Sequence, residues 1–209
     1  MNGCERMMTA ARGGQPDRIP VWELIINRPV MEAIRPEMFS PENVEKYQWG
    51  SCGAFEMLAD FIEAEDLDGI TVFEDTKTEE IEEGVCRDDW GITWEVQADG
   101  IPYATGHPIE TEAALAAWEP PDPDAEGRLE SLKRAVERFK GEKAIVFLSH
   151  DAFEFSHYLR GMQNLLMDYV LNPDMATELA RKVIRYKTRI MERAAELGAD
   201  ILCTGDDYA

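Results

Sequence analysis

Positive charge is scarce in this sequence, because 21 lysines and arginines stand against 42 aspartates and glutamates, giving a formal net charge of −21. A protein that follows nucleic-acid phosphates needs a positive surface, so the composition argues against a nucleic-acid-binding function. Docking on anionic membranes is disfavoured for the same electrostatic reason. The apolar content of 44% is nevertheless sufficient for a packed core.

Long apolar runs and closely paired cysteines are also missing. No segment approaches the roughly 20 apolar residues of a membrane-spanning helix. Residues 1–14 carry charges where a signal peptide needs an apolar stretch, so we expect no export signal. Wide cysteine spacing without a C-x-x-C pair predicts reduced thiols in a cytoplasmic protein rather than a disulfide framework or a structural zinc site. These cysteines are Cys4, Cys52, Cys86 and Cys203.

Apolar runs bounded by turn residues alternate with helical patterns along the chain. The apolar runs predict buried strands over residues 18–25, 68–75, 144–150 and 199–207. Two short β-like runs flank Asp88-Asp89-Trp90-Gly91 and predict an inserted antiparallel hairpin. Cap and stop residues predict helices between the strands. The main helices are expected over residues 4–12, 40–64, 128–140, 152–161 and 173–197.

Alternating buried strands and helices predict an α/β fold with parallel strands joined by right-handed crossovers. An open doubly wound sheet and a (βα)8 barrel both fit this order. No G-x-G-x-x-G or G-x-x-x-x-G-K fingerprint occurs, which disfavours a nucleotide site and favours the barrel. In either architecture the chemistry lies at the carboxyl ends of the strands. Polar or aromatic residues at those ends are the first candidates: Trp22, Glu23, Asp75, His150, Asp206 and Asp207.

The carboxylates at the strand ends have two interpretations each. Asp75 can accept hydrogen bonds from a cationic or N–H-bearing ligand, or it can cap a helix over residues 76–80. Asp206 and Asp207 alternate across a strand, so at most one of them faces a barrel mouth. The pair fits an acid–base or metal element, and it equally fits a loop with helix caps.

His150, Glu154 and His157 follow the spacing i, i+4 and i+7, which aligns three side chains on one face of a helix. Histidine and glutamate together can form a metal site or a general acid–base pair. A strand residue at His150 breaks that alignment, so hydrogen-bonding histidines are the favoured interpretation. The phenol of Tyr158 can donate to a substrate carboxylate or carbonyl, or it can be a core residue with a satisfied hydroxyl.

Several segments form a distinctive set: ERMMTAARGGQPDRIPVWE, RDDWGITWE, HPIETEAALAAWEPPDPD, YLRGMQNLLMDYVLNPD and ELGADILCTGDDYA. Together they resemble the uroporphyrinogen decarboxylase superfamily, which includes the decarboxylase itself and related cobalamin-dependent methyltransferases. The resemblance covers nearly all of the chain and implies a (βα)8 barrel, in agreement with the missing nucleotide fingerprint.

The resemblance implies three catalytic positions. Asp75 matches the aspartate of an F-S-D turn after the second strand of the family, here Phe73-Glu74-Asp75. Tyr158 matches the active-site tyrosine after the third strand, and Asp207 matches the small polar residue that ends the fourth. Substrate-binding candidates complete the predicted site: Trp22, Glu23, Arg28, His150 and His157.

The region after the first predicted strand departs from the decarboxylase pattern. The resemblance implies an R-Q-A-G-R segment there, whereas this chain reads WELIINRP and offers only Arg28. A substrate with many carboxylates needs cationic partners, so the acidic chain favours the methyltransferase-like branch. That branch implies a corrinoid protein, a small methyl donor or acceptor, and a zinc ion on a His-x-Cys pair and a later cysteine. No such motif occurs in this chain, so we assign no metal ligand here and expect zinc and corrinoid only of a full-length parent.

The length of 209 residues is below the roughly 250 residues of a (βα)8 barrel. We therefore expect a single domain over residues 1–209 that forms the N-terminal half of such a barrel and stops after its fourth strand. Decarboxylation in porphyrin biosynthesis, which is a lyase reaction, and a non-catalytic fragment stay open as alternatives to methyl transfer. A half-barrel exposes the apolar flanks of its outer strands, so self-association is also expected.

Overall fold

The computed structural model describes residues 1–40, 43, 52–96 and 102–206. The chain divides into two compact units, called the first unit and the second unit below. The first unit comprises Met1–Glu74, Leu129–Leu148 and Arg193–Cys203. The second unit comprises Asp75–Arg128, Ser149–Glu192 and Thr204–Ala209.

The described residues form runs of helices and runs of strands. The α-helices are α1 (Gly3–Ala11), α2 (Arg28–Ile34), α3 (Cys52–Ala64), α4 (Glu112–Ala117), α5 (Glu130–Phe139), α6 (Ala152–Arg160), α7 (Met162–Leu171) and α8 (Pro173–Leu197). A 3-10 helix covers Pro36–Phe39. The strands are β1 (Gly69–Phe73), β2 (Thr78–Glu82), β3 (Val85–Asp88), β4 (Thr93–Val96), β5 (Pro102–Gly106), β6 (Ala144–Ser149) and β7 (Ile201–Thr204).

A three-stranded sheet with the order β1-β6-β7 forms the centre of the first unit. β1 pairs with β6 in parallel, from Gly69 opposite Ala144 to Phe73 opposite Leu148. All six residues of β6 are buried, as a continuous apolar run predicts for a strand covered on both faces. A Cβ atom at Gly69 would lie 2.6 Å from the sulfur of Met7, so only glycine allows α1 to approach β1 this closely.

The predicted strand over residues 18–25 is wrong. The Val21 N–H donates to the Asp68 carboxylate at 2.7 Å, and the Val21 carbonyl accepts from the Asp68 N–H at 2.8 Å. A side chain thus takes the donor that a backbone ladder would need, and residues 18–25 form no strand. The apolar run is not buried either, because Ile19 is 84% and Ile25 is 59% exposed. Among the described residues the central sheet therefore has three strands rather than the expected four.

The predicted hairpin is confirmed and belongs to a larger antiparallel sheet in the second unit, with the order β2-β3-β4-β5. Cys86 of β3 lies opposite Trp94 of β4. Asp88 shapes the turn, since one of its carboxylate oxygens accepts the N–H groups of Trp90 at 3.0 Å and Ile92 at 2.9 Å. Gly91 supplies the left-handed conformation that the turn requires, with φ of 86°.

The structure confirms most of the predicted helices, including α1, α5, α6 and α8. α3 ends at Ala64 as expected, while the predicted start at Ser40-Pro41-Glu42 falls partly outside the described residues. The alternative prediction that Asp75 caps a helix over residues 76–80 is wrong, because Thr78–Glu82 forms strand β2. No helix in the described part of the chain is both long and apolar enough to cross a membrane.

Aromatic rings form the core of the second unit. Trp90 is 1% exposed, and its ring lies 4.5 Å from Tyr186 and 4.6 Å from Phe155 between ring centroids. Trp118 stacks on the same indole at 6.0 Å and donates from Nε1 to the Trp90 carbonyl. Trp90 is therefore a packing residue at the centre of this core.

Candidate functional site

Helix α6 carries most of the candidate site, and its two ends are fixed by local sequence. At the start, the Asp151 carboxylate accepts the Ala152 N–H at 2.6 Å. At the end, Gly161 adopts φ of 82°, which favours glycine. A Cβ atom at Gly161 would also lie 3.1 Å from the ring of His107. The sequence between these two residues is therefore held as a short, well-defined helix.

Tyr158 and Glu154 form a hydrogen-bonded pair on one face of α6. They are four residues apart, and the Tyr158 hydroxyl donates to the Glu154 carboxylate. Burial and this hydrogen bond raise the pKa of Tyr158 above its usual value, so the phenol keeps its proton at neutral pH. Trp94 packs edge-on against the Tyr158 ring with centroids 5.0 Å apart. The pair can act as a hydrogen-bond donor that a carboxylate orients.

All three histidines of the chain lie around Tyr158. The His157 ring lies 4.2 Å from the tyrosine ring, and the His150 ring stands edge-on at 6.5 Å. His107 places Nδ1 2.7 Å from the Tyr158 carbonyl oxygen. A carbonyl only accepts, so Nδ1 of His107 carries the proton and Nε2 is the acceptor in the neutral ring.

The protonation equilibrium of His157 is shifted by its surroundings. Burial lowers its pKa below the usual value, while the nearby Glu154 carboxylate partly opposes that effect. A histidine with a lowered pKa is largely neutral at pH 7 and can accept a proton. The cluster of Glu154, His157 and Tyr158 thus combines a protonated donor with a neutral base.

Asp206 closes the N-terminus of α6. Its carboxylate accepts backbone N–H groups from Asp151 at 3.2 Å, Phe153 at 2.7 Å and Glu154 at 3.0 Å. Of the interpretations that the sequence left open for Asp206, the structure therefore shows the helix cap. Asp207, the predicted catalytic residue, lies outside the described residues.

A small cavity of about 80 Å³ adjoins the end of β6 in the second unit. Ser149, His150 and Lys187 are among the residues that line it. Lys187 is 4% exposed, and its Nζ atom lies 3.4 Å from the ring centroid of Phe155 and 4.9 Å from that of Trp90. The aromatic faces stabilise the buried ammonium by cation–π attraction.

Sequence reasoning missed both His107 and Lys187. Lys187 stands on the buried face of α8, four residues after Val183 and three before Ile190, and a cation in that stripe was the signal that could have found it. His107 carried no such signal, because its contact with Tyr158 joins residues 51 positions apart.

Other predicted residues have different surroundings. In the first unit, Trp22 Nε1 donates to the Thr71 hydroxyl at 3.0 Å, and that hydroxyl contacts the Glu23 carbonyl at 3.4 Å. Arg28 donates to the Glu32 carboxylate at 2.7 Å, one helical turn along α2. These contacts place Trp22 and Glu23 beside β1 and engage Arg28 within its own helix.

Asp75 begins the second unit, where it is half-buried and its N–H donates to the Arg128 carbonyl at 2.8 Å. Of the predicted site residues, His150, His157 and Tyr158 are the three that the structure brings together in one cluster.

The described residues do not fit a metal ion. Within them, no group of three or more histidine, cysteine, aspartate or glutamate side chains is arranged to hold one. Structural and catalytic zinc sites need at least three protein ligands, so we derive no step through zinc for this part of the chain.

Comparisons with known proteins give a family from the sequence and a likeness in fold from a solved structure. The family model described as "Uroporphyrinogen decarboxylase (URO-D)" matches residues 2–209, while no curated protein matches the chain significantly. A solved "methyltransferase from Methanosarcina mazei" has a TM-score of 0.68 and 16% identity, over 97% of this chain and 58% of that one. The chain thus spans less than two thirds of that methyltransferase, and a likeness at this identity shows the fold. Because the family model covers nearly every residue, the chain belongs to the uroporphyrinogen decarboxylase family.

Proposed function

We propose that the chain is the N-terminal half of a (βα)8-barrel enzyme that transfers a methyl group between a corrinoid and a small acceptor. Family membership and the fold shared with the Methanosarcina mazei methyltransferase support this proposal. The proposed partner is a corrinoid protein, and self-association stays a prediction. The observation that carries the proposal is that Arg28, Arg128 and Arg160 are each already paired with a carboxylate of the chain.

The arginines that could meet a polycarboxylate substrate are engaged by the protein itself. Arg160 donates to Asp168 at 2.6 Å and to the Glu110 carbonyl at 2.7 Å. Arg128 is 3% exposed and pairs with Asp89. Withdrawing these guanidinium groups would leave buried or half-buried carboxylates uncompensated, which is costly. Arg28 is also paired, with Glu32 on the surface, although this exposed pair costs less to break. A porphyrinogen with many carboxylates is therefore a poor fit, and a small substrate is favoured.

The clustered residues of α6 suit a transfer that releases a proton. A methyl-corrinoid, when bound as the donor, would supply a methyl group to a nucleophile such as a thiol, and the thiol would lose its proton. The neutral imidazole of His157 accepts that proton. The Tyr158 hydroxyl, oriented by Glu154, donates a hydrogen bond that holds the acceptor in place.

The remaining site residues predicted from the sequence keep their predicted roles in this proposal. Asp75 and Asp207 join Tyr158 as catalytic residues on the strength of the family resemblance. His150 is proposed as a substrate contact beside Tyr158, and Trp22 and Glu23 stay substrate-binding predictions from the sequence. Arg28 is the weakest member of the predicted set, because Glu32 already accepts from its guanidinium at 2.7 Å.

The test compares two activities of the full-length protein. One assay follows loss of methylcobalamin absorbance with a small thiol as acceptor, and the other follows conversion of uroporphyrinogen to coproporphyrinogen by chromatography. We expect methyl transfer and no decarboxylation. Decarboxylation without methyl transfer would establish the alternative enzyme, and neither activity in a folded protein would establish a non-catalytic fragment.

Tyr158→Phe examines the role of the tyrosine. Loss of the hydroxyl should reduce methyl transfer about 10- to 100-fold, because a single positioning hydrogen bond is removed. Tyr103→Phe is the matched control, since Tyr103 lies on β5 of the same unit and is 47% exposed. Equal rates for the two variants would contradict the role of Tyr158.

A further inference from the structure

The N-terminus of α6 is satisfied by two carboxylates that divide its backbone donors between them. Asp206 accepts the N–H groups of Asp151, Phe153 and Glu154, at 3.2, 2.7 and 3.0 Å. The Asp151 side chain accepts the remaining one, from Ala152, at 2.6 Å. The first N–H groups of a helix have no partner within it, so this pair completes the first turn.

Asp206 differs from an ordinary cap because it is distant in sequence. Asp151 caps its own helix, whereas Asp206 follows β7 and lies 52 positions from Glu154. The contact therefore ties the segment after β7 to the helix that carries the candidate site. Glu154 is at once one of the donors to Asp206 and the acceptor of the Tyr158 hydroxyl.

We propose that Asp206 is a positioning residue that fixes the first turn of α6 and thereby the orientation of Glu154, His157 and Tyr158. The expected effect of Asp206 on methyl transfer rests on the proposed function, whereas its effect on the first turn of α6 does not. Asp206 reaches no reacting atom in this proposal, and it acts only through the helix.

The chemistry of the contact requires a carboxylate. One oxygen of Asp206 accepts from Asp151 and Glu154, and the other accepts from Phe153. An asparagine has one acceptor oxygen, so its NH2 group would face a backbone N–H donor. A negative charge at a helix N-terminus is also favoured by the helix dipole. Replacing Asp206 with asparagine should thus loosen the first turn while changing the side-chain volume little.

The charge of Asp206 gives the proposal a spectroscopic readout. Among the groups that act on His157, burial lowers its pKa, Glu154 and Asp206 raise it, and His107 lowers it. Asp206 also contributes to the raised pKa of Tyr158, after burial and Glu154. Loss of the Asp206 charge should therefore lower the pKa of both residues.

The experiment uses the full-length protein and three variants. Asp206→Asn removes the charge and one acceptor, and Asp206→Glu keeps the charge but moves the carboxylate by one methylene group. Glu178→Gln is the matched control, because it removes the same charge from an exposed position of α8 in the second unit. NMR titration of ring-labelled histidine and tyrosine gives the pKa values of His157 and Tyr158 without any substrate.

For Asp206→Asn we expect a lower pKa at both residues and a fall in kcat of about 10- to 100-fold with KM little changed. For Asp206→Glu we expect a smaller pKa change and an intermediate kcat, and circular dichroism confirms that each variant is folded. If Asp206→Asn does not fold, Asp206→Glu carries the test, and wild-type kcat and pKa values in it would overturn the proposal. Wild-type kcat and pKa values in both variants would also overturn the proposal. If the wild-type protein transfers no methyl group, the proposed function fails while the NMR result still decides the role of Asp206.

Discussion

The two units are stabilised by different kinds of interaction. In the first unit the buried carboxylate of Asp68 accepts from the guanidinium groups of Arg6 and Arg18 and from the Val21 N–H. The core of the second unit is built from stacked and edge-on aromatic rings around Trp90, with Lys187 held against their faces. A buried carboxylate with two arginine partners is thus the distinctive feature of the first unit, and an aromatic cluster that of the second.

The ion-pair network of the first unit includes the N-terminal segment Pro16-Asp17-Arg18. The P-D-R motif of the N-terminal segment supplies Asp17, which accepts from Arg6 at 2.7 Å, and Arg18, which donates to Asp68 at 2.6 Å. The motif therefore fastens the chain beside β1 and needs no role in chemistry. In the second unit, the aromatic core lies under the residues of α6, where Phe155 touches both Trp90 and Tyr158.

The largest expected effect is the loss of an aromatic core residue. Trp90→Ala removes the indole that contacts Phe155, Tyr186 and Trp118, and it should lower the free energy of unfolding by about 3–5 kcal/mol. Urea unfolding measures this value. The exposed aromatic Tyr103→Ala serves as the control and should cost under about 1 kcal/mol. Similar losses for the two variants would contradict an aromatic core around Trp90.

The ion-pair network of the first unit should be nearly as sensitive. Asp68→Ala removes the buried carboxylate that accepts from Arg6, Arg18 and the Val21 N–H, and the free energy of unfolding should fall by about 3 kcal/mol. Glu37→Ala is the control, since it breaks only the exposed contact with Arg35 at 3.5 Å and should cost under about 0.5 kcal/mol. A value for Asp68→Ala no larger than this control would show that the network is not structurally important.

Arg138 should show a smaller effect that depends on salt. Its guanidinium donates to Glu56, Asp60 and Glu63 at 3.1, 2.8 and 2.6 Å. Arg138→Ala leaves these carboxylates to repel one another and should cost about 1 kcal/mol at low salt. Added sodium chloride should shrink that loss because it screens the repulsion. A loss that salt does not change would indicate packing of the arginine stem instead.

The smallest predicted effect is a difference in pH dependence between the units. Burial opposes ionisation of Asp68, but the Val21 N–H and the guanidinium groups of Arg18 and Arg6 outweigh it and lower its pKa. Its contribution to stability is therefore present above the unfolded pKa of about 3.9 and is lost as the pH falls through the lower folded value. The destabilisation caused by Asp68→Ala should shrink below pH 4, whereas that of Trp90→Ala should not. Urea unfolding of both variants at pH 7 and pH 3 tests this, and parallel changes would contradict it.

Local signals in the sequence predicted much of the fold. The apolar run of β6, the cap and stop residues of α5 and α8, and the turn around Asp88 all depend on neighbours in the chain, and the structure confirms them. The spacing of Glu154 and His157 also predicted one helix face, and both lie on α6, where the Glu154 carboxylate acts on the pKa of His157.

Long-range contacts account for what the sequence could not predict. The strand over residues 18–25 failed because Asp68, 47 positions from Val21, takes its backbone donor. The contacts of His107 with Tyr158 and of Asp206 with α6 likewise join segments more than 50 positions apart. Periodicity carries no information about such pairs, so only the folded chain reveals them.

The central claim is that Arg28, Arg128 and Arg160 are engaged by carboxylates of the chain itself, which favours a small substrate over a porphyrinogen. Binding of coproporphyrin to the full-length protein, followed by quenching of porphyrin fluorescence, tests that claim most directly. The account predicts a Kd no tighter than about 1 mM, which corresponds to roughly −4 kcal/mol. A Kd in the micromolar range would contradict it and would favour the decarboxylase.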